Sequence, residues 1–193
     1  MGRPRGSLAG CPESELPPER WVYRIHRSSR GPWWFSCNEA NPQRFDLRSP
    51  RGTCYVAEHP VGAFVEVFQD LDGGMILSAD VDARRLSILA VPHPMRLADC
   101  TQARARAFDV TAEIHTTVNR DLTRDWAQAV AAEGFDGIRY FVRNDPAQHQ
   151  IGIAIFGDAG EAQWPILATE SIGSDLRDDV EANFGIRVTD LID

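Results

Sequence analysis

Along "VGAFVEVFQDL" (61–71), Val61, Phe64, Val65 and Phe68 fall on one helical stripe, and the opposite face carries Gly62, Glu66 and Asp70. This pattern predicts an amphipathic helix that starts where His59 and Pro60 break the preceding segment. A second helix is predicted over 117–133, with Val118, Leu122, Trp126 and Val130 spaced four apart and Gly134 as the stop, and a third near 175–183. The β-rich runs are "WVYRI" (21–25) and "TCYVAE" (53–58), separated by a polar, Arg-rich loop of functional length. "MILSADVD" (75–82) and "LSILAV" (86–91) read as a hairpin followed by a Pro-broken linker at 92–95. "DGIRYFV" (136–142) and "IGIAIFG" (151–157) read as two strands around the polar turn "RNDPAQHQ". Residues 1–19, rich in Gly, Pro, Ser and Glu, read as a flexible leader to a single domain over 20–193. The fold class expected is α+β, a mixed, mainly antiparallel sheet core with flanking helices. The regular β-α alternation of a doubly wound sheet is missing.

Charge narrows the chemistry. All 20 basic residues are arginines, against 28 acids, for a net charge of −8. Residues 1–51 nevertheless carry a balance of +4, and Arg20, Arg24, Arg27 and Arg30 lie among Trp21, Tyr23, Trp33 and Trp34. An acidic chain lacks the broad positive face that grips a nucleic-acid backbone, so direct nucleic-acid binding is not expected. A local arginine pocket for a small anion fits better, because the planar guanidinium donates two parallel hydrogen bonds to a phosphate.

Cys11, Cys37, Cys54 and Cys100 show neither a C-x-x-C pair nor zinc spacing, and read as reduced thiols. The five histidines are scattered and read as surface or packing residues, so no metal is assigned. Neither a signal peptide nor an apolar run of about 18 residues is found, and a cytoplasmic protein with no membrane contact is expected. Dinucleotide-binding glycine motifs, a P-loop, H-E-x-x-H and a nucleophile elbow are all missing. What remains is a constellation of Arg24, Arg44, Tyr55 and Glu66. Taken singly, Arg24 would be an exposed strand residue, Tyr55 a core aromatic and Glu66 a solvated helix carboxylate.

In order and spacing, "VYRIHR" (22–27), "QRFD" (43–46), "TCYVAEHPVGAFVEV" (53–67) and "GFDGIRYFVR" (134–143) resemble the RES-domain family, toxins of RES-Xre toxin-antitoxin modules. The resemblance implies a fold like that of ADP-ribosyltransferases of the diphtheria-toxin kind and an activity that destroys NAD, which is substrate rather than cofactor. It also implies a small Xre-like helix-turn-helix antitoxin as partner. Arg24 and Arg44 look like the family arginines gripping the NAD pyrophosphate, Tyr55 like the tyrosine that orients nicotinamide or ribose, and Glu66 like the catalytic glutamate. Catalytic roles would thus fall to Glu66, Tyr55 and Arg24, and substrate binding to Arg24, Arg44 and Tyr55. Gln43-Arg44-Phe45 replaces the usual Gly-Arg-Trp, and Val142 stands where the family serine is expected. The acceptor stays open between water (glycohydrolase), phosphate (phosphorylase) and a protein side chain (ADP-ribosyltransferase). An NAD- or ADP-ribose-binding module without turnover is the reading from another class, and an RNA-cutting toxin is disfavoured by the net charge.

Overall fold

A computed structural model describes residues 1–68 and 74–190. Its centre is an eight-stranded sheet. In chain order the strands are β1 (Glu13–Leu16), β2 (Val22–Arg27), β4 (Arg51–Ala57), β6 (Arg84–Leu89), β7 (Met95–Asp99), β8 (Gly137–Phe141), β9 (Ile151–Asp158) and β11 (Ile166–Glu170). Across the sheet they run β1-β7-β8-β9-β4-β2-β6-β11, all antiparallel except β7 beside β8. Two short ribbons lie apart, β3 (Trp34–Phe35) with β10 (Gly160–Glu161) and β5 (Met75–Leu77) with β12 (Arg187–Thr189). The helices are α1 (Pro60–Val67), α2 (Ser78–Asp82), α3 (Glu113–Thr116), α4 (Arg120–Ala132) and α5 (Ser174–Phe184). The fold is therefore α+β, as expected.

Alternation along the strands sends neighbouring side chains to opposite faces. Tyr55 and Ala57 of β4, with Ile138 and Tyr140 of β8, face the helical side, where α4 covers one apolar cluster and α1 with α5 covers another. Cys54 and Val56 face the other side, packed with Trp33, Phe35 and Trp164. Both faces of β4 and β9 are covered, which explains their nearly continuous burial. α4 starts at Asn119, whose side chain accepts from the Leu122 N–H at 3.1 Å. Gly134, at φ 79, provides the left-handed turn that ends this segment.

One ladder is weak. β4 and β9 stay in register from Arg51–Asp158 to Ala57–Gly152, and β2 and β6 from Val22–Leu89 to Arg27–Arg84. β2 and β4 meet only at Tyr23–Ala57. The sheet therefore splits between them.

Several expectations need correction. Residues 1–19 are not a loose leader. Glu13–Leu16 pair with Met95–Asp99, Leu8, Cys11 and Leu16 are buried, the Trp126 indole N–H donates to the Gly2 carbonyl at 3.0 Å, and Glu133 accepts from the Leu8 N–H at 2.9 Å. The 75–91 hairpin does not form, because Ser78–Asp82 turn into a helix and Met75–Leu77 pair in parallel with Arg187–Thr189, leaving only Arg84–Leu89 for the main sheet. The linker at 92–95 gives way at Met95 to a strand. The helix over 61–71 is present through Val67, with Pro60 at its first turn, whereas residues 69–71, including Asp70, lie outside those described. The strand pair around 143–150 and the helix near 175–183 are present as expected.

Candidate active site

Where β2 and β4 part, the gap opens into a cavity of about 380 Å³. Its walls come from Tyr23, Arg24 and Ile25 of β2, Tyr55 and Val56 of β4, and Ala63, Glu66 and Val67 of α1. Gln43, Arg44, Thr117, Val118, Arg120 and Arg143 complete it from loops and the start of α4. All four residues singled out in the sequence thus meet in one place, 42 positions apart at the extremes.

Each is held differently. Arg24 is half-buried and turns its Nη1 inward, donating to the carbonyls of Pro32 at 2.6 Å and Trp34 at 3.1 Å and to the Cys54 thiol at 2.7 Å. It is therefore a structural clamp as well as a wall of the cavity. Arg44 is buried, and its Nη1 donates to the His115 carbonyl at 2.6 Å while its guanidinium lies over the rings of Phe45 and Tyr140. The Tyr55 hydroxyl accepts from the Phe45 N–H at 2.8 Å and donates to Asp46 Oδ1 at 3.0 Å. Burial, followed by the charge of Asp46, pushes the Tyr55 phenol well above its ordinary range, so it stays a donor.

Glu66 sits on the wall with Oε1 accepting from the Tyr140 hydroxyl at 2.9 Å. Its Oε2 is shut away from solvent and has no hydrogen-bond partner among the described residues. Burial raises the Glu66 carboxyl above its usual value, and Arg44, the Tyr140 hydroxyl and Arg143 pull the other way. A half-buried carboxylate held near two guanidinium groups with one oxygen unpaired is costly unless something uses it, and such groups cluster at functional sites.

Other participants escaped the sequence reading. Arg120 donates through Nη1 to the Pro42 carbonyl at 2.7 Å and to Gln43 Oε1 at 3.0 Å, closing the rim. Arg143 joins the wall without a hydrogen bond to protein among the described residues. Asp46, buried and raised by desolvation, accepts from the Gln43 N–H and the Tyr55 hydroxyl together and so shapes the loop that presents Arg44. Tyr140, fully buried, supplies the hydroxyl on Glu66. Val142, the position expected to carry a serine, is instead packed in the apolar cluster with Ile25, Ala57 and Ala63 and does not line the cavity. Asp46 falls within "QRFD" and Tyr140 and Arg143 within "GFDGIRYFVR", but no local pattern marks them out, since their roles depend on contacts between distant segments.

The model of the RES domain family matches residues 22–178. The chain belongs to the RES domain family. Among solved structures, a chain of the M. tuberculosis MbcT-MbcA toxin-antitoxin complex matches with a TM-score of 0.67 at 13% identity, covering 87% of this chain and 92% of that one. At that identity the likeness bears on the fold alone. A search of the curated proteins gave no match. No helix among the described residues is long and apolar enough to cross a membrane.

Proposed function

We propose that this RES-domain chain is a toxin-like enzyme that cleaves the bond between nicotinamide and ribose in NAD. The observation that carries the reading is Glu66, set in the wall of a cavity that four arginines also line, with one oxygen that has no hydrogen-bond partner among the described residues. Breaking the glycosidic bond expels neutral nicotinamide and leaves positive charge on the ribose, a state akin to that of glycoside hydrolysis. Glu66, once ionised, stabilises that charge or a ribose hydroxyl beside it. Arg44 and the outward edge of Arg24 hold the pyrophosphate, while Tyr55, fixed by Asp46, packs against the nicotinamide or ribose. No metal or further cofactor enters the scheme. The family membership and the cavity's cationic walls favour free NAD as substrate, with water or phosphate as acceptor.

The test is to incubate the purified protein with NAD, with and without phosphate, and to follow nicotinamide, ADP-ribose and ADP-ribose 1-phosphate by chromatography. Nicotinamide release supports the reading, and the second product names the acceptor. Unchanged NAD would overturn it.

We further propose that a small helix-turn-helix antitoxin restrains the enzyme by covering the cavity mouth, where Val118 and Arg120 stand at the rim. The structural likeness to a chain from a toxin-antitoxin complex supports this. Expression that is tolerated only alongside the neighbouring gene product would bear it out, and failure to isolate a complex would count against it.

A further inference from the structure

Tyr140 does not line the cavity, yet it touches both groups that matter most there. Its hydroxyl donates to Glu66 Oε1 at 2.9 Å, and the Arg44 guanidinium lies 5.5 Å from its ring centroid. The residue is fully buried, with the Phe45 ring 4.9 Å away. Its seat depends on Gly152, directly opposite on β9: a Cβ there would fall 2.6 Å from the Tyr140 Cζ and 2.8 Å from its hydroxyl oxygen, closer than atoms can approach. The backbone has thus been left bare to make room for this phenol.

From this geometry we infer that Tyr140 is the positioning residue of the site, fixing the rotamer of Glu66 at the cavity wall by donating to Oε1. The inference rests on the proposed NAD cleavage. It also accounts for Val142: the hydroxyl that the family pattern places at that position is here supplied two residues earlier, on the same face of the strand, by a side chain long enough to reach Glu66. A tyrosine can do this because its hydroxyl stands far from the backbone. A serine at position 142 would start within the apolar cluster.

The role differs from mere packing in what it predicts for Glu66. A donated hydrogen bond favours the ionised carboxylate. Arg44 and Arg143 bear on the same carboxylate from the 43–46 loop and from the segment after β8, and Tyr140→Phe keeps the ring on which the Arg44 guanidinium rests.

The experiment uses the full-length chain as Tyr140→Phe, which keeps the ring, and Gly152→Ala, which keeps the hydroxyl but displaces it. In Tyr140→Phe we expect kcat for nicotinamide release to fall about 10- to 100-fold with KM within about threefold, the signature of an interaction that matters in the transition state. The Glu66 carboxyl, followed by carbon NMR, should titrate at higher pH than in the parent. Gly152→Ala should lower kcat in the same way while its melt shows a folded protein. A folded Tyr140→Phe with parental kcat would overturn the inference, and so would a fall in kcat without any change in the Glu66 titration. If the parent chain releases no nicotinamide, the NAD reading fails, and the Glu66 titration still decides whether Tyr140 governs this carboxylate. Should Tyr140→Phe not fold, a Gly152→Ala protein with parental kcat and an unmoved Glu66 titration overturns the inference by itself.

Discussion

Arg44 and His115, 71 positions apart, are joined where the arginine Nη1 donates to the histidine carbonyl at 2.6 Å. The same histidine is buried and accepts from the Phe141 N–H through Nδ1 at 3.3 Å. Burial first, and the Arg44 charge second, lower its pKa from 6.5 to about 4. The folded protein therefore keeps His115 neutral where the unfolded chain would protonate it. As pH falls from about 6.5 the unfolded state takes up the extra proton, and stability drains away until pH nears 4. The full linkage is worth about 3 kcal/mol. In urea unfolding, His115→Gln should lose less stability than the parent between pH 7 and 4, by roughly that amount. Parallel curves for the two proteins would refute the assignment.

Glu66 has the opposite sign. Its folded pKa lies above the ordinary value of 4.5, so its neutral form suits the fold, and the ionised form costs stability as pH rises through the folded pKa. Glu66→Gln should therefore match or exceed the parent in stability at pH 8, and that difference should vanish well below pH 4.5. Turnover should fall on the order of a hundredfold with NAD binding retained, because the carboxylate meets charge that develops only in the transition state. Thermal melts, an NAD titration and a nicotinamide assay on one preparation check all three points. Near-parental turnover would reduce Glu66 to a structural partner of the Tyr140 hydroxyl.

Arg24 is expected to show both a structural and a binding effect. Its Nη1 holds the Pro32 and Trp34 carbonyls and the Cys54 thiol, so Arg24→Ala should lower stability by about 1–3 kcal/mol, besides weakening NAD binding. Cys54→Ala removes the thiol contact alone and should cost less stability while leaving NAD affinity close to parental. Denaturant midpoints and NAD titrations on the two variants separate clamp from ligand contact.

Val142→Ser would restore the family residue at that position. Because Val142 is buried among Ile25, Ala57 and Ala63, the hydroxyl would enter an apolar cluster, and a loss of about 1–3 kcal/mol is expected with no gain in turnover. A more active Val142→Ser would show that position 142 does reach the reaction.

The contrast between Glu66 and Tyr140 shows what could be read from the chain. Glu66 was legible because a short local period puts it opposite Phe64, Val65 and Phe68, and because its spacing from Tyr55 is the most specific part of the family pattern. Tyr140 was hidden inside an apolar run, and its meaning lies in a hydroxyl that meets a residue 74 positions away. The same holds for strands. Gly137–Phe141 and Ile151–Asp158 are apolar enough to announce themselves, but Glu13–Leu16 is polar in all but Leu16, and Ile166–Glu170 is a largely exposed edge. Met95–Asp99 follows two prolines that suggested a linker. The false hairpin at 75–91 arose because Met75–Leu77 has strand composition but finds its partner in Arg187–Thr189, about a hundred residues later, a pairing that local pattern cannot encode.

The lone Tyr23–Ala57 pairing between β2 and β4 makes the molecule two leaves bound along an open spine. Side chains such as Arg24, reaching across to Cys54, do the stitching that backbone hydrogen bonds do elsewhere in the sheet. A ligand that touched Arg24 on one leaf and Tyr55 and Glu66 on the other would act as an added cross-brace. Occupancy should then slow amide exchange along both strands at the spine, so that the protein senses its substrate as a gain in rigidity before any bond is broken.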